Sequence, residues 1–307
     1  MKRHTTLIAM LLLTVIAATA QVKTGIDVLC DNGFAPLQGK RVGLVTNPTG
    51  VNRDLVSTVD LLANAPGVTL AALYAPEHGV RGNVTAGAKV ATYTDTQTGV
   101  KVWSIYGATT KPTAAMLAGI DVMVYDIQDI GSRSYTFISS MGKCMEACAE
   151  NGIPFIVLDR PNPLGGEKVE GCLVDSDCVS FVSQYPVPYV YGLTCGELAR
   201  YLNGEGLLRR GVRCDLTVIP MQGWRRGMLW QDTGLEWVMT SPHVPQPVSA
   251  LFYPASGILG ELDYMSIGVG YNLPFQLFCA SWADAAKLAD TLNSMDIKGF
   301  RFRPIHI

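Results

Sequence analysis

The chain has 307 residues, 48% hydrophobic and 16% charged, enough to bury a large core as one large or two moderate domains. That composition excludes a disordered chain. Lys and Arg number 24 against 26 Asp and Glu, too even a balance to leave an electrostatic footprint for nucleic acid or an anionic membrane surface.

Residues 1–20, MKRHTTLIAMLLLTVIAATA, place Lys2 and Arg3 before an apolar run from Leu7 and end in small residues at Ala18 and Ala20. This is the pattern of a secretory signal peptide, too short and wrongly flanked for a spanning helix, with cleavage expected after Ala20. No cysteine directly follows the run to be lipidated, and no later segment is long enough to span. The mature protein is expected to be periplasmic or secreted. Losing Lys2 and Arg3 leaves 22 basic against 26 acidic side chains, a formal charge of −4.

Short β-rich runs then alternate with helical patterns. Val42–Thr46, Leu70–Tyr74, Val102–Tyr106, Val122–Asp126, Phe155–Asp159 and Leu216–Ile219 read as strands, most of them almost uniformly apolar, as strands covered on both faces are. Thr136–Ala149 repeats Ile138, Met141, Met145 and Cys148 at helical spacing and stops at Asn151-Gly152, a helix C-cap signal. Thr194-Cys195-Gly196-Glu197 is a capping box that opens a second helix carrying Leu198, Tyr201 and Leu202. Strand followed by helix predicts an α/β fold with a Rossmann-like, doubly wound, mostly parallel sheet.

Four prolines in TSPHVPQPVSALFYP (Pro242, Pro245, Pro247, Pro254) block regular helix and central strand and suggest a domain boundary, placed at 240/241. Beyond it a Gly-rich segment precedes a strand-like Leu277–Ser281, a helix over Asp284–Met295 and a strand beginning in GFRFRPIHI. The division is therefore a leader at 1–20, a main domain at 21–240 and a second, smaller α/β domain at 241–307.

The eight cysteines include no C-x-x-C, and few histidines remain after cleavage, so no metal site is expected. Cys172 and Cys178 can close a short disulfide loop; the others read as small buried hydrophobes. Neither G-x-G-x-x-G, a Walker A lysine nor a G-x-S-x-G elbow is present, and no cofactor is implied.

Three strand ends carry acids, and strand ends of one polarity share one edge of a parallel sheet. Glu77, in Pro76-Glu77-His78-Gly79, can act there as a general acid, or merely cap the turn. His78 can bind substrate or tune Glu77. Asp126 ends an apolar strand, and Gln128, Asp129, Arg133, Tyr135 and Thr136 follow in the loop to the next helix; the plainer reading pairs Asp126 with Arg133. Asp159, Arg160 and Asn162, set between prolines, suit hydroxyls and an anionic substituent, or form a rigid turn. Glu170 and Tyr191 are weaker candidates by position.

YAPEHGVRG, AGAKV, YDIQDIGSRSYTFISSM, VLDRPNPLGG, VEG and YGLTCGELARYL, in this order and spacing, resemble the exo-β-N-acetylmuramidase family from about Lys40 onward. The resemblance implies a glycoside hydrolase of peptidoglycan recycling that removes terminal N-acetylmuramic acid from the non-reducing end of wall fragments. It implies an active site in a cleft between a Rossmann-like domain and a smaller α/β domain. On the matching positions, Glu77 becomes the catalytic acid/base, Asp126 and Asp129 candidates for the second carboxyl, and Glu170 a supporting one. Arg133, Arg160 and His78 would hold the lactyl carboxylate, and Asn162, Tyr135 and Asp159 the hydroxyls or acetamido group.

The chain departs from the commonest family pattern at Tyr191, where many members have His, and at His243, where many have Asn. Ile267 and Val269 stand where many have Glu and Arg, in a loop expected to face the cleft. Members also continue well past Ile307, which implies an incomplete second domain. A non-catalytic binder of wall saccharides is the alternative, and an amidase or esterase a third reading that the missing nucleophile elbow disfavours.

Overall fold

Alternate residues of each central strand point into two separate apolar cores, which makes the sheet the middle of three layers. The structure, a computed structural model, describes residues 21–82 and 91–306. The leader at 1–20 and the AGAKV segment at 86–90 lie outside the described residues. The strands are β1 (Arg41–Thr46), β2 (Thr69–Ala75), β3 (Tyr93–Thr94), β4 (Lys101–Ser104), β5 (Val122–Asp126), β6 (Phe155–Leu158) and β7 (Leu216–Ile219). Their order is β3-β4-β2-β1-β5-β6-β7, parallel throughout except for the short β3 against β4.

In β5, Val122 and Val124 face one core while Met123 and Tyr125 face the other; in β6, Ile156 and Leu158 oppose Phe155 and Val157. This period of two with both sets apolar is why these runs read as uniformly hydrophobic. Helices α1 (Gly25–Asp31) and α2 (Thr58–Ala63) cover the first face, through Ile26, Leu29, Val59 and Leu62. Helices α3 (Ala114–Leu117), α4 (Phe137–Asn151) and α5 (Cys195–Gly204) cover the second.

Chain signals set the helix ends. α4 stops at Gly152, whose φ of 66° is left-handed and suits a residue without Cβ. The capping box of α5 closes in both directions, Glu197 N donating to Thr194 Oγ1 at 3.1 Å and Thr194 N to Glu197 Oε2 at 3.0 Å. The six strands expected between Val42 and Ile219 appear within one or two residues. β3, too short to carry a period, was not anticipated.

The chain divides into two compact units between Pro247 and Val248, a few residues past the boundary suggested by the prolines. The expectation that those prolines bar a helix is corrected: α6 spans Pro247–Ser256. Pro247 occupies its first position, where the missing N–H had no intrahelical partner, and Pro254 falls in its last turn. The second unit also holds α7 (Ala285–Ser294), capped by Asp284, whose Oδ1 accepts from Lys287 N at 3.0 Å.

Two expected strands there do not form among the described residues. Leu277–Ser281 offers one backbone pair, Cys279 with Ser266, and 300–306 is irregular. A strand needs a neighbour along its length, and each segment lacks one. Ile267, read as facing a cleft, is buried in this unit, against Gly260. All eight cysteines are free, with Cys172 and Cys178 exposed. Among the described residues no helix is long and apolar enough to cross a membrane.

The N-terminus of α1 presses on the end of β6: Gly25 N donates to Asp159 O at 2.7 Å, and a Cβ on Gly25 would lie 2.4 Å from Asp159 N. Backbone cannot yield as a side-chain tip can. Gly25→Ala is expected to lower stability by about 1–3 kcal/mol, read from the urea unfolding midpoint.

Candidate active site

At the crevice between β1 and β5, whose following helices α2 and α4 cover opposite faces of the sheet, the carboxyl ends of β1, β5 and β6 meet around one buried ion pair. Asp126, the last residue of β5, is 0% exposed. Arg160 donates to it twice, Nε to Oδ1 at 2.5 Å and Nη2 to Oδ2 at 2.9 Å, and the Thr58 hydroxyl donates to Oδ2 from the start of α2. Arg160 Nη2 also reaches the Val51 carbonyl at 2.8 Å, and Thr46 Oγ1 donates to the Asp126 carbonyl at 2.8 Å. The partner of Asp126 is therefore Arg160 and not Arg133. Asp126, read as a second catalytic carboxyl, has both oxygens committed inside the protein, and Arg160, read as a ligand for a substrate carboxylate, is its counter-ion.

Beside this pair lies a set of buried polar atoms without protein partners among the described residues: Asn47 Nδ2, Gln128 Oε1, Asp129 Oδ1 and Ser132 Oγ. Each belongs to a side chain fixed at another atom or to a tightly bonded loop. Asn47 Oδ1 accepts from Thr49 N at 2.9 Å and from Thr49 Oγ1 at 2.5 Å, and Thr49 Oγ1 in turn accepts from Gln128 N at 2.8 Å. Gln128 Nε2 donates to the carbonyls of Asp129 (2.7 Å) and Pro161 (2.6 Å). Buried polar groups are rarely left unpaired, so such a cluster at a switch point marks a place for ligand or water. Gln128 and Arg160 also line a small crevice with Thr49, Arg53 and Trp230; Glu77 does not line it.

Asp129 accepts on Oδ2 from Gly131 N at 2.8 Å and from the Tyr191 hydroxyl, leaving Oδ1 unpaired. Burial pushes its carboxyl up to about 6, against the opposing pull of the Tyr191 hydroxyl and the backbone N–H groups of Gly131 and Ile130. Tyr191, read as a substrate contact, is buried and spends its hydroxyl on Asp129.

Glu77 follows β2 and is half-buried. The Tyr106 hydroxyl donates to its Oε1 at 3.0 Å and the Thr136 hydroxyl to its Oε2 at 3.3 Å. Thr136 caps the 15-residue α4, so the Glu77 carboxyl sits by the positive end of a helix dipole. Burial and the negative Glu77 together push the Tyr106 phenol up to about 12, which keeps it a donor. His78, buried beside Glu77, adopts a left-handed φ of 71°, an uncommon conformation for a residue with a Cβ.

Most of the remaining candidates are hydrogen-bonded within the protein. Arg133 donates through Nε to Ser183 Oγ at 2.8 Å and through Nη1 to the carbonyls of Cys172 (2.5 Å) and Val187 (2.7 Å), so its guanidinium organises the loop after β6. Tyr135 donates to Thr240 Oγ1 at 2.8 Å. Asp159 accepts from Gly196 N at 2.8 Å, Arg160 N at 3.0 Å and Thr194 Oγ1 at 3.0 Å, holding the start of α5; burial raises it to about 6. Asn162 accepts from Leu164 N at 2.9 Å, donates to the Leu193 carbonyl at 3.0 Å, and packs against Gly131. The Glu170 side chain is exposed, on a residue whose backbone pairs with Val190. Tyr106 and Asn47 were missed. Each ends or follows a predicted strand, the same signal that singled out the acids, but they are neutral. Among the described residues no group of three or more His, Cys, Asp or Glu is placed to hold a metal ion.

The family model for the N-terminal part of exo-beta-N-acetylmuramidase NamZ matches residues 42–248, and that for its C-terminal part matches 251–307. Peptidoglycan beta-N-acetylmuramidase NamZ of Bacillus subtilis (strain 168) is 47% identical over 287 residues, covering 94% of this chain and 68% of that protein. A crystal structure of a DUF1343 family protein from Bacteroides fragilis is 59% identical with a TM-score of 0.89, over 94% of this chain and 72% of that one. A second from the same organism is 30% identical with a TM-score of 0.73, over 93% and 86%.

Asp129 binds its proton more tightly folded than unfolded, so the stability it contributes is present below about pH 4 and lost as pH rises through about 6. Asp129→Asn removes that loss. The unfolding free energy of the variant relative to the parent, measured in urea, should rise steadily from pH 4 to pH 7; a difference independent of pH would refute the assignment.

Proposed function

This chain belongs to the exo-β-N-acetylmuramidase family, and on that premise we propose that Glu77 is the catalytic acid/base with which it releases terminal N-acetylmuramic acid from the non-reducing end of peptidoglycan fragments. The observation that carries the assignment is the setting of Glu77: a half-buried carboxyl beyond the carboxyl end of a parallel strand, oriented by Tyr106 and by Thr136 at the head of α4. Oriented carboxyls at such an edge are what glycoside hydrolysis needs, one protonating the leaving oxygen and a second acting across the sugar. Asp129 is the second carboxyl in this reading, because its Oδ1 is unpaired and its raised pKa lets it exchange a proton near neutral pH. Asn47, Gln128 and Ser132 offer the sugar or an ordered water the hydrogen bonds that the protein leaves unmade.

Residues 1–20 support a further part of the proposal, that the protein is exported and acts in the periplasm or outside the cell, where wall fragments are found. N-terminal sequencing of the protein recovered from its producing cells is expected to begin at Gln21. Recovery of cytoplasmic protein still starting at Met1 would refute export.

Incubated with a muramic-acid-terminated disaccharide or a chromogenic muramoside, the protein is expected to release the free sugar. Glu77→Gln should lower kcat by about 10²–10⁴-fold, with the urea midpoint unchanged. Turnover within a few-fold of the parent would overturn the assignment of Glu77.

A further inference from the structure

The loop between β6 and α5 contains a small, tightly made turn that neither apolar core requires. Ser183 N donates to Ser180 O at 3.1 Å and Ser180 N to Ser183 O at 3.4 Å, which leaves Phe181 and Val182 at the tip of a two-residue turn. No residue from 172 to 184 belongs to either core, and Leu173, Val179 and Val182 are more than half exposed. Yet the buried Arg133 guanidinium holds this stretch at two points, the Cys172 carbonyl and the Ser183 hydroxyl, and bonds a third time to the carbonyl of the core residue Val187 just beyond it. A buried charge whose bonds go to neutral groups of one surface loop fixes that loop in place at a desolvation cost.

What the turn presents is Phe181. Its half-buried ring lies 6.3 Å from that of Tyr106, tilted by 56°, and Tyr106 is the residue that donates to Glu77 Oε1. An unbroken path therefore runs from Arg133 through Ser183 and Phe181 to Tyr106 and Glu77. Saccharide sites pair directional polar groups with aromatic walls, because the C–H groups on one face of a pyranose pack favourably on the negative face of a ring.

We propose that Phe181 contacts the substrate and determines specificity, forming with Tyr106 an aromatic wall beside Glu77 that takes the apolar face of a pyranose ring. Arg133 is a positioning residue that acts through the 180–183 turn. The proposal rests on the reading of Glu77 as the catalytic carboxyl, and its test separates the two. Calorimetry uses the Glu77→Gln protein and the disaccharide of N-acetylmuramic acid β-linked to N-acetylglucosamine. Adding Phe181→Ala is expected to weaken binding about 5–10-fold, while Phe181→Tyr retains it. In the parent enzyme the same Phe181→Ala change should fall on KM rather than kcat. Arg133→Met should reproduce the KM loss, and the Arg133→Met/Phe181→Ala double variant should lose no more than either alone. Unchanged binding and KM on removal of the Phe181 ring would overturn the proposal, as would equal loss in the Phe181→Tyr variant. Persistent turnover by Glu77→Gln would overturn the reading of Glu77, while the binding and KM comparisons at position 181 would still report on the wall.

Discussion

The Asp126–Arg160 pair is the constraint from which the site's geometry follows. A carboxylate with no exposed surface is tolerable only if its lone pairs are met, and here a two-pronged guanidinium and the Thr58 hydroxyl meet them. Those donors come from after β6 and from the start of α2, while Arg160 reaches on to the Val51 carbonyl beyond β1. One pair thus locks together the ends of two adjacent strands, the β1 loop and a helix. A buried ion pair gains little over an apolar contact in stability; its worth is in register, since any shift leaves a charge uncompensated. Asn47 follows the end of β1 that the pair helps to fix, and Gln128 and Asp129 follow the end of β5.

Around that anchor, acids of one chemical type behave differently because their surroundings differ. Asp126 is neutralised by a cation, and Asp159 is absorbed in holding the start of α5. Asp129 is buried with one oxygen unpaired, so its proton is held more tightly. Glu77 is half-buried, and its donors include the hydroxyls of Tyr106 and of Thr136 at the head of α4. An edge that looks uniformly acidic in the sequence becomes a graded set: structural charge, capping group, proton-holding carboxyl and half-buried carboxyl.

Arginine shows the same division. Arg160 and Arg133 both invite assignment to a substrate carboxylate, yet one neutralises an acid and the other ties down a loop. Their rigid multi-donor geometry suits either task, and burial decides which. In the proposed function, polar recognition of the sugar falls to neutral amides and hydroxyls with unpaired atoms, and shape recognition to the aromatic pair beside Glu77.

The local pattern was legible in the sequence because it is written over a few residues. Uniform apolar runs announced strands covered on both faces, Asn151-Gly152 marked the end of α4, the Thr194–Glu197 box marked the start of α5, and the motif around Glu77, Asp129 and Asn162 pointed to the family. Partnership was not legible. Asp126 has Arg133 seven positions away but pairs with Arg160, 34 positions away, because β5 and β6 are neighbours in the sheet and their ends emerge side by side. Tyr106 reaches Glu77 because β4 lies next to β2, and Leu277–Ser281 fails to become a strand because, among the described residues, only Ser266 pairs with it. Propensity, capping and period are properties of short segments, whereas hydrogen-bond partners and desolvation are set by which segments packing brings together; the sequence alone determined most of the elements of the sheet and the edge where its acids gather, and only the tertiary structure decided which partners each acid has.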